Sequence, residues 1–169
     1  MQLKLPFILS LSTMILGIFI AILFGINEDI FKNKISKDLS ENTEIMQIDD
    51  LDARNAKIKT EENKSWRYYQ RFHFHATGIG AMSLGALILF SLSLAPMMLR
   101  LIGSYMISIG GLLYPFVWLF AAIYGPVMGR HEAKEAFSLF GYMGGVFLLG
   151  LCLLLFSIIK YPHKLMSKN

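Results

Sequence analysis

The stretch ATGIGAMSLGALILFSLSLAPMM, residues 76–98, decides the fold. It carries no formal charge from end to end. A helix rising ~1.5 Å per residue crosses a ~30 Å hydrocarbon layer in about 20 residues, so this run is long enough to span a membrane. Three more uncharged runs flank it: Leu5–Phe24, Leu101–Tyr124 and Phe137–Ile159. Lipid offers no partners to backbone N–H and C=O groups, which must therefore pair within each segment. The expected fold class is all-α, a four-helix transmembrane bundle with one extramembrane helical or loop segment between spans one and two.

Composition agrees. The hydrophobic fraction is 54% and the mean hydropathy +0.50, high for a soluble domain. The chain divides into a first span (1–25), an outer loop with a juxtamembrane helix (26–75), and spans two to four (76–98, 101–124 and 137–159) within 76–169, ending in a short basic tail. No length remains for a second folded domain. The first apolar run exceeds a usual signal-peptide core, and no A-x-A-like site follows it. It is therefore expected to be an uncleaved signal anchor.

Charge sets the expected orientation. With a cytoplasmic N-terminus, the inner segments carry Lys4, Arg100, Lys160, Lys164 and Lys168 and no acid, and all 12 acidic residues fall outside. Short Lys/Arg-rich flanks stay inside, so both termini are expected in the cytoplasm, with the bacterial inner membrane as the expected setting. The outer placement of Arg130 and Lys134 in a short loop runs against this pattern. The single Cys152 lies within the last span and excludes an intramolecular disulfide; it is expected to act as a small apolar core residue.

Residues 26–70 form the extramembrane stretch. Asn27 is placed to cap a short helix with Ile26, Ile30, Phe31, Ile35 and Leu39 on one face, expected to rest on the membrane surface or on a partner. Residues 40–59 show little periodicity and are expected to form a loop ordered only in a complex. Thr60 then caps a long helix from about 61 to 98, with Trp66, Tyr68, Tyr69 and Phe72 at the water–lipid boundary. Pro115 is expected to kink span three, and Gly125–Glu135 to loop into span four. The pairs Ala76/Gly80, Ala81/Gly85 and Gly141/Gly145 suit close helix contacts.

The chemistry-bearing residues are histidines. His73 and His75 enter span two, and two helical positions two apart point ~200° from each other, so one ion cannot easily take both. His73 shares the small-residue face and is expected to look into the bundle. His131 and Glu135 share a helical face continued by Ser138 and Tyr142, a polar stripe expected to face protein or a wet cavity. His73 and His131 are thus candidate axial ligands for a haem, and His73, His75, His131 and Glu135 candidate ligands for a transition metal. The competing readings are a hydrogen-bonded structural cluster and a proton-handling or quinone-facing site. His163, among basic residues, is expected to face headgroups.

There is no Walker loop, no H-E-x-x-H, no C-x-x-C and no C-x-x-C-H, and no basic face for nucleic acid. The chain is expected to contact the lipid bilayer and other membrane subunits, as a non-catalytic accessory or structural subunit of a larger complex. The alternatives are a haem- or metal-binding redox protein, and a small membrane enzyme or transporter. No paired intramembrane charges support transport.

Overall fold

The computed structural model describes residues 3–164. Among them are eight helices and no β-strand: α1 Lys4–Asn27, α2 Asp29–Ser40, α3 Thr43–Met46, α4 Leu51–Leu92, α5 Met97–Leu113, α6 Phe116–Met128, α7 Arg130–Ala136 and α8 Ser138–Lys160. Four helical stretches are long and apolar enough to cross a membrane: α1, α4, α5 with α6, and α8. The bundle is all-α, as the uncharged runs require. Residues 165–169 of the basic tail, Lys168 among them, lie outside the described residues.

Helix α4 is longer at its outer end than expected and shorter at its inner end. It begins at Leu51, where the Asp50 carboxylate accepts from the Asp52 and Ala53 N–H groups at 2.9 and 3.3 Å. It ends at Leu92: Ser93 is extended, with ψ 141°, and Pro96, which lacks an N–H and whose ring would clash with the Leu92 carbonyl, could not continue the helix. The Ser93 hydroxyl then accepts from the Ala95 N–H and bonds to Ser157 on α8. Counting ~20 residues back from Leu92 puts one membrane boundary near His73, leaving roughly six turns of α4 protruding.

The protruding part does not stand alone. Ile35, Leu39 and Ile45 bury against Tyr68, Tyr69, Ala121 and Ala122, with Phe24, Phe31 and Trp66 around them. Each such aliphatic side chain contributes about 2 kcal/mol when fully buried. Residues 40–59 are therefore not a loop awaiting a partner: α3 and the first turns of α4 occupy most of them. The face of α2 covers the protein's own bundle rather than lipid or another subunit, while Ile26 and Ile30 stay exposed. Asn27 does accept from the Asp29 N–H, at 3.0 Å.

Asn42 fastens this cap. Its Nδ2 donates to the carbonyls of Pro126 and Val127 at 2.9 and 3.0 Å, in the last turn of α6. Its Oδ1 accepts from the Ile45 N–H at 3.2 Å and starts α3. One side chain so satisfies the orphan groups of two helix ends.

Inside the membrane, α1 packs on α4 and α5 on α8. A Cβ added to Gly80 would lie 2.6 Å from the Met14 backbone nitrogen, so only glycine permits this approach. Ala76 and Gly80 are buried in that contact, as expected. The other two pairs are not contacts of this kind: Gly85 and Gly145 have nothing within 4 Å of an added Cβ. Pro115 separates α5 from α6, where the expected kink falls. The expected outer loop 125–135 is instead the end of α6 and the short α7, joined at Gly129 with φ +93°, a conformation that favours glycine. Cys152 is exposed on α8, looking away from the core it was expected to fill.

Candidate functional site

The four histidines take four different environments. His73 sits between α4 and α1, where its Nδ1–H donates to the Gly17 carbonyl at 2.8 Å, with the Thr77 hydroxyl at 3.3 Å. It faces the bundle, toward α1. His75 donates from Nδ1 to the Arg71 carbonyl at 2.8 Å, and its ring lies against Tyr114 and Trp118, with centroids 5.4 and 5.8 Å away. A carbonyl can only accept, so in both rings Nδ1 carries the proton and Nε2 keeps a lone pair when neutral.

His131 is on the open surface. Its side chain is 85% exposed, and the Glu135 carboxylate 3.7 Å away is 78% exposed. Tyr142, lower on the same supposed stripe, is 71% exposed. The stripe therefore faces outward. The depth also differs from that expected. Arg130, next to His131, clasps Glu61, which precedes His73 by 12 positions on α4, or ~18 Å of helix. The proposed axial pair His73/His131 is not brought together, and neither is the set His73, His75, His131 and Glu135. Among the described residues, no group of three or more His, Cys, Asp or Glu is placed to hold a metal ion. The physical reason is the break at Phe137, whose φ of −108° and ψ of 20° separate α7 from α8.

His163 is buried, not headgroup-facing. The chain after α8 folds back on the inner turn: Leu94 N–H bonds to the Pro162 carbonyl and Lys164 N–H to the Leu92 carbonyl, each at 3.0 Å. His163 Nδ1 lies 3.1 Å from the Tyr161 carbonyl, and its Nε2 has no partner.

Two polar constellations at the protruding end of α4 escaped the sequence reading. The first is centred on Glu61, a nearly buried carboxylate on the protruding part of α4. Arg130 donates to it through Nε at 2.5 Å and Nη2 at 3.3 Å, and Lys64 and Lys57 lie 3.3 and 3.7 Å from Oε1. Burial alone would raise its pKa; the Arg130 hydrogen bond and charge, helped by Lys64, overcome this and hold the carboxyl below its ordinary value. Beside it opens a cavity of about 590 Å³ lined by Asn42, Ile45, Lys57, Glu61, Arg130 and Glu135, among others. The Glu61 charge is already matched, so this clasp ties α7 to α4.

The second constellation lies between α4, α6 and α7. The Tyr68 and Trp118 rings pack with centroids 5.5 Å apart. Arg71 places its guanidinium carbon 5.4 Å from the Tyr68 centroid and 5.0 Å from that of Trp118. Lys134 places its ammonium 5.0 and 5.8 Å from the same two rings. His75 closes the group from below. Among the described residues, no carboxylate comes within 4 Å of Arg71 or Lys134, whereas Arg130 nearby is paired. The Trp118 indole N–H is buried without an acceptor.

Comparison with known proteins found no match to a family model, to a curated protein or to a solved structure.

Proposed function

We propose that this multi-span membrane protein is a non-catalytic subunit that docks sideways on another membrane protein through α4, with both termini in the cytoplasm. One contrast carries the reading. The outward faces of α1 and α8 are built mainly of bulky residues suited to lipid, such as Ile15, Phe19, Ile22, Leu148, Leu155 and Ile159, with Gly145 a single open glycine on α8. The outward face of α4 instead sets Gly78, Ala81 and Gly85 among Phe74, Met82 and Ile88. Nothing in this chain lies within 4 Å of a Cβ added to Gly78 or Gly85. A small face gains little against fluid acyl chains and much against a second helix, whose backbone it lets approach.

The same openness supplies the test. Gly85→Leu meets no atom of this chain, and leucine favours helix over glycine by roughly 0.5–1 kcal/mol. The variant should fold at least as well as the parent, yet the docked partner should be lost. Gentle extraction and native electrophoresis should show the parent in a larger assembly and Gly85→Leu outside it, at unchanged thermal stability. A parent that runs alone in several mild detergents, or a Gly85→Leu variant that stays in the assembly, defeats the reading.

A further inference from the structure

We propose that Arg71, Lys134 and Trp118, with His75 beneath them, form a binding site for a phosphate-class anion at the outer water–lipid boundary. Two cations rest on the same aromatic pair, with no carboxylate within 4 Å of either. Arg130, nearby on the same short helix as Lys134, is answered by an acid, Glu61. Here the fold supplies more donors instead. The Trp118 indole N–H is buried and has no acceptor, a state that costs about 1–3 kcal/mol unless a ligand oxygen relieves it. Arg71 offers a planar fork of N–H groups, the geometry that suits phosphate oxygens. The rings hold both cations in place, which lowers the entropy lost on binding.

Two sources have this chemistry: the phosphodiester of an anionic lipid and free inorganic phosphate. The lipid headgroup is the better fit. Arg71 lies about half a turn above the boundary near His73, and the outward face of α4 continues below it through Phe74 and Gly78 into the hydrocarbon. A lipid can thus hold its phosphate at the cations and lay its chains along the protein. The cations lie above the Gly78/Ala81/Gly85 docking face while the acyl chains would share its upper part; Gly85→Leu leaves the cations intact and Arg71→Gln leaves the small face intact, so either proposal can fail without the other.

The test uses the full chain in detergent. Native mass spectrometry with dioleoyl phosphatidylglycerol, against dioleoyl phosphatidylcholine as control, reads the lipid arm; calorimetric titration with inorganic phosphate reads the other. The parent should retain one saturable phosphatidylglycerol per chain. Arg71→Gln and Lys134→Gln should each weaken it roughly tenfold or more, and Arg71→Lys by less, because it keeps the charge and loses the fork. Circular dichroism and melting confirm that the variants fold; the conservative Arg71→Lys and Trp118→Phe keep the test open if a glutamine variant does not. Saturable phosphate binding with the same variant order supports the site and assigns it to a soluble anion. No saturable binding of either probe to the parent, or phosphatidylglycerol binding equal in the parent and in Arg71→Lys and Trp118→Phe, overturns the proposal.

Discussion

Asn42 offers a sharp test of whether the outer segment is fastened to the bundle. The side chain is nearly buried and makes three hydrogen bonds, two donated to the Pro126 and Val127 carbonyls and one accepted from the Ile45 N–H. Asn42→Ala removes all three. At about 1 kcal/mol for each donated bond and about 1 kcal/mol for the helix cap, the local cost is about 2–3 kcal/mol. Asn42→Asp should be worse. It retains the cap acceptor, but replaces the donor with a carboxylate oxygen aimed at two carbonyl oxygens in a site with little water. Limited proteolysis between Glu41 and Asp50 reads the opening of this segment directly. Where reclosing is faster than cleavage, 2–3 kcal/mol corresponds to a cleavage rate about 30- to 150-fold higher for Asn42→Ala, and more for Asn42→Asp. An aspartate variant as resistant as the parent would refute the donor assignment. Equal rates in parent and alanine variant would refute the fastening itself.

The Glu61 clasp predicts an acid limb of stability. The folded carboxyl has a pKa below its ordinary value, so its contribution is complete above the unfolded pKa of about 4.3 and is lost as pH falls through the folded value. Melting temperature should drop on acidification below about pH 5, and Glu61→Gln should be less stable at neutral pH with a flatter acid limb; an unchanged limb in Glu61→Gln removes Glu61 as its source. The orientation is checked by single cysteines in a Cys152→Ser background. Ser40→Cys, exposed on α2, should react with an impermeant maleimide on intact cells and Lys164→Cys should not; the reverse pattern inverts the topology.

The fold was legible because its main signal is local. An uncharged run of about 20 residues needs no partner to be recognised, and the kink at Pro115 follows from one missing N–H. The start of α4 was also within reach. Asp50 stands before a stretch free of Gly and Pro, and its carboxylate caps the Asp52 and Ala53 N–H groups; the later Thr60-Glu61-Glu62 signal concealed it. The end at Leu92 was written in Pro96. The break at Phe137 carried no such mark, since neither Gly nor Pro lies between Arg130 and Gly141. Reading that stretch as one helix set His131, Glu135, Ser138 and Tyr142 on a single inward stripe. The turn between α7 and α8 breaks that stripe, and His131, Glu135 and Tyr142 face out.

What remained illegible is long-range. Arg130 meets Glu61 across 69 positions, and Trp118 meets Arg71 and Lys134 from opposite sides of the sequence. Local spacing cannot rank such pairings, because each depends on how α7 folds back over the end of α6. The charge count had flagged Arg130 and Lys134 as out of place in a short outer loop, and the structure separates the two cases. Arg130 has an acid waiting on α4, which makes it part of the fold. Lys134, four residues on, has aromatic faces and a second cation instead. Its contacts with the two rings contribute about 0.5–1 kcal/mol each, but they leave its charge unmatched, which is the opening that the proposed anion would fill.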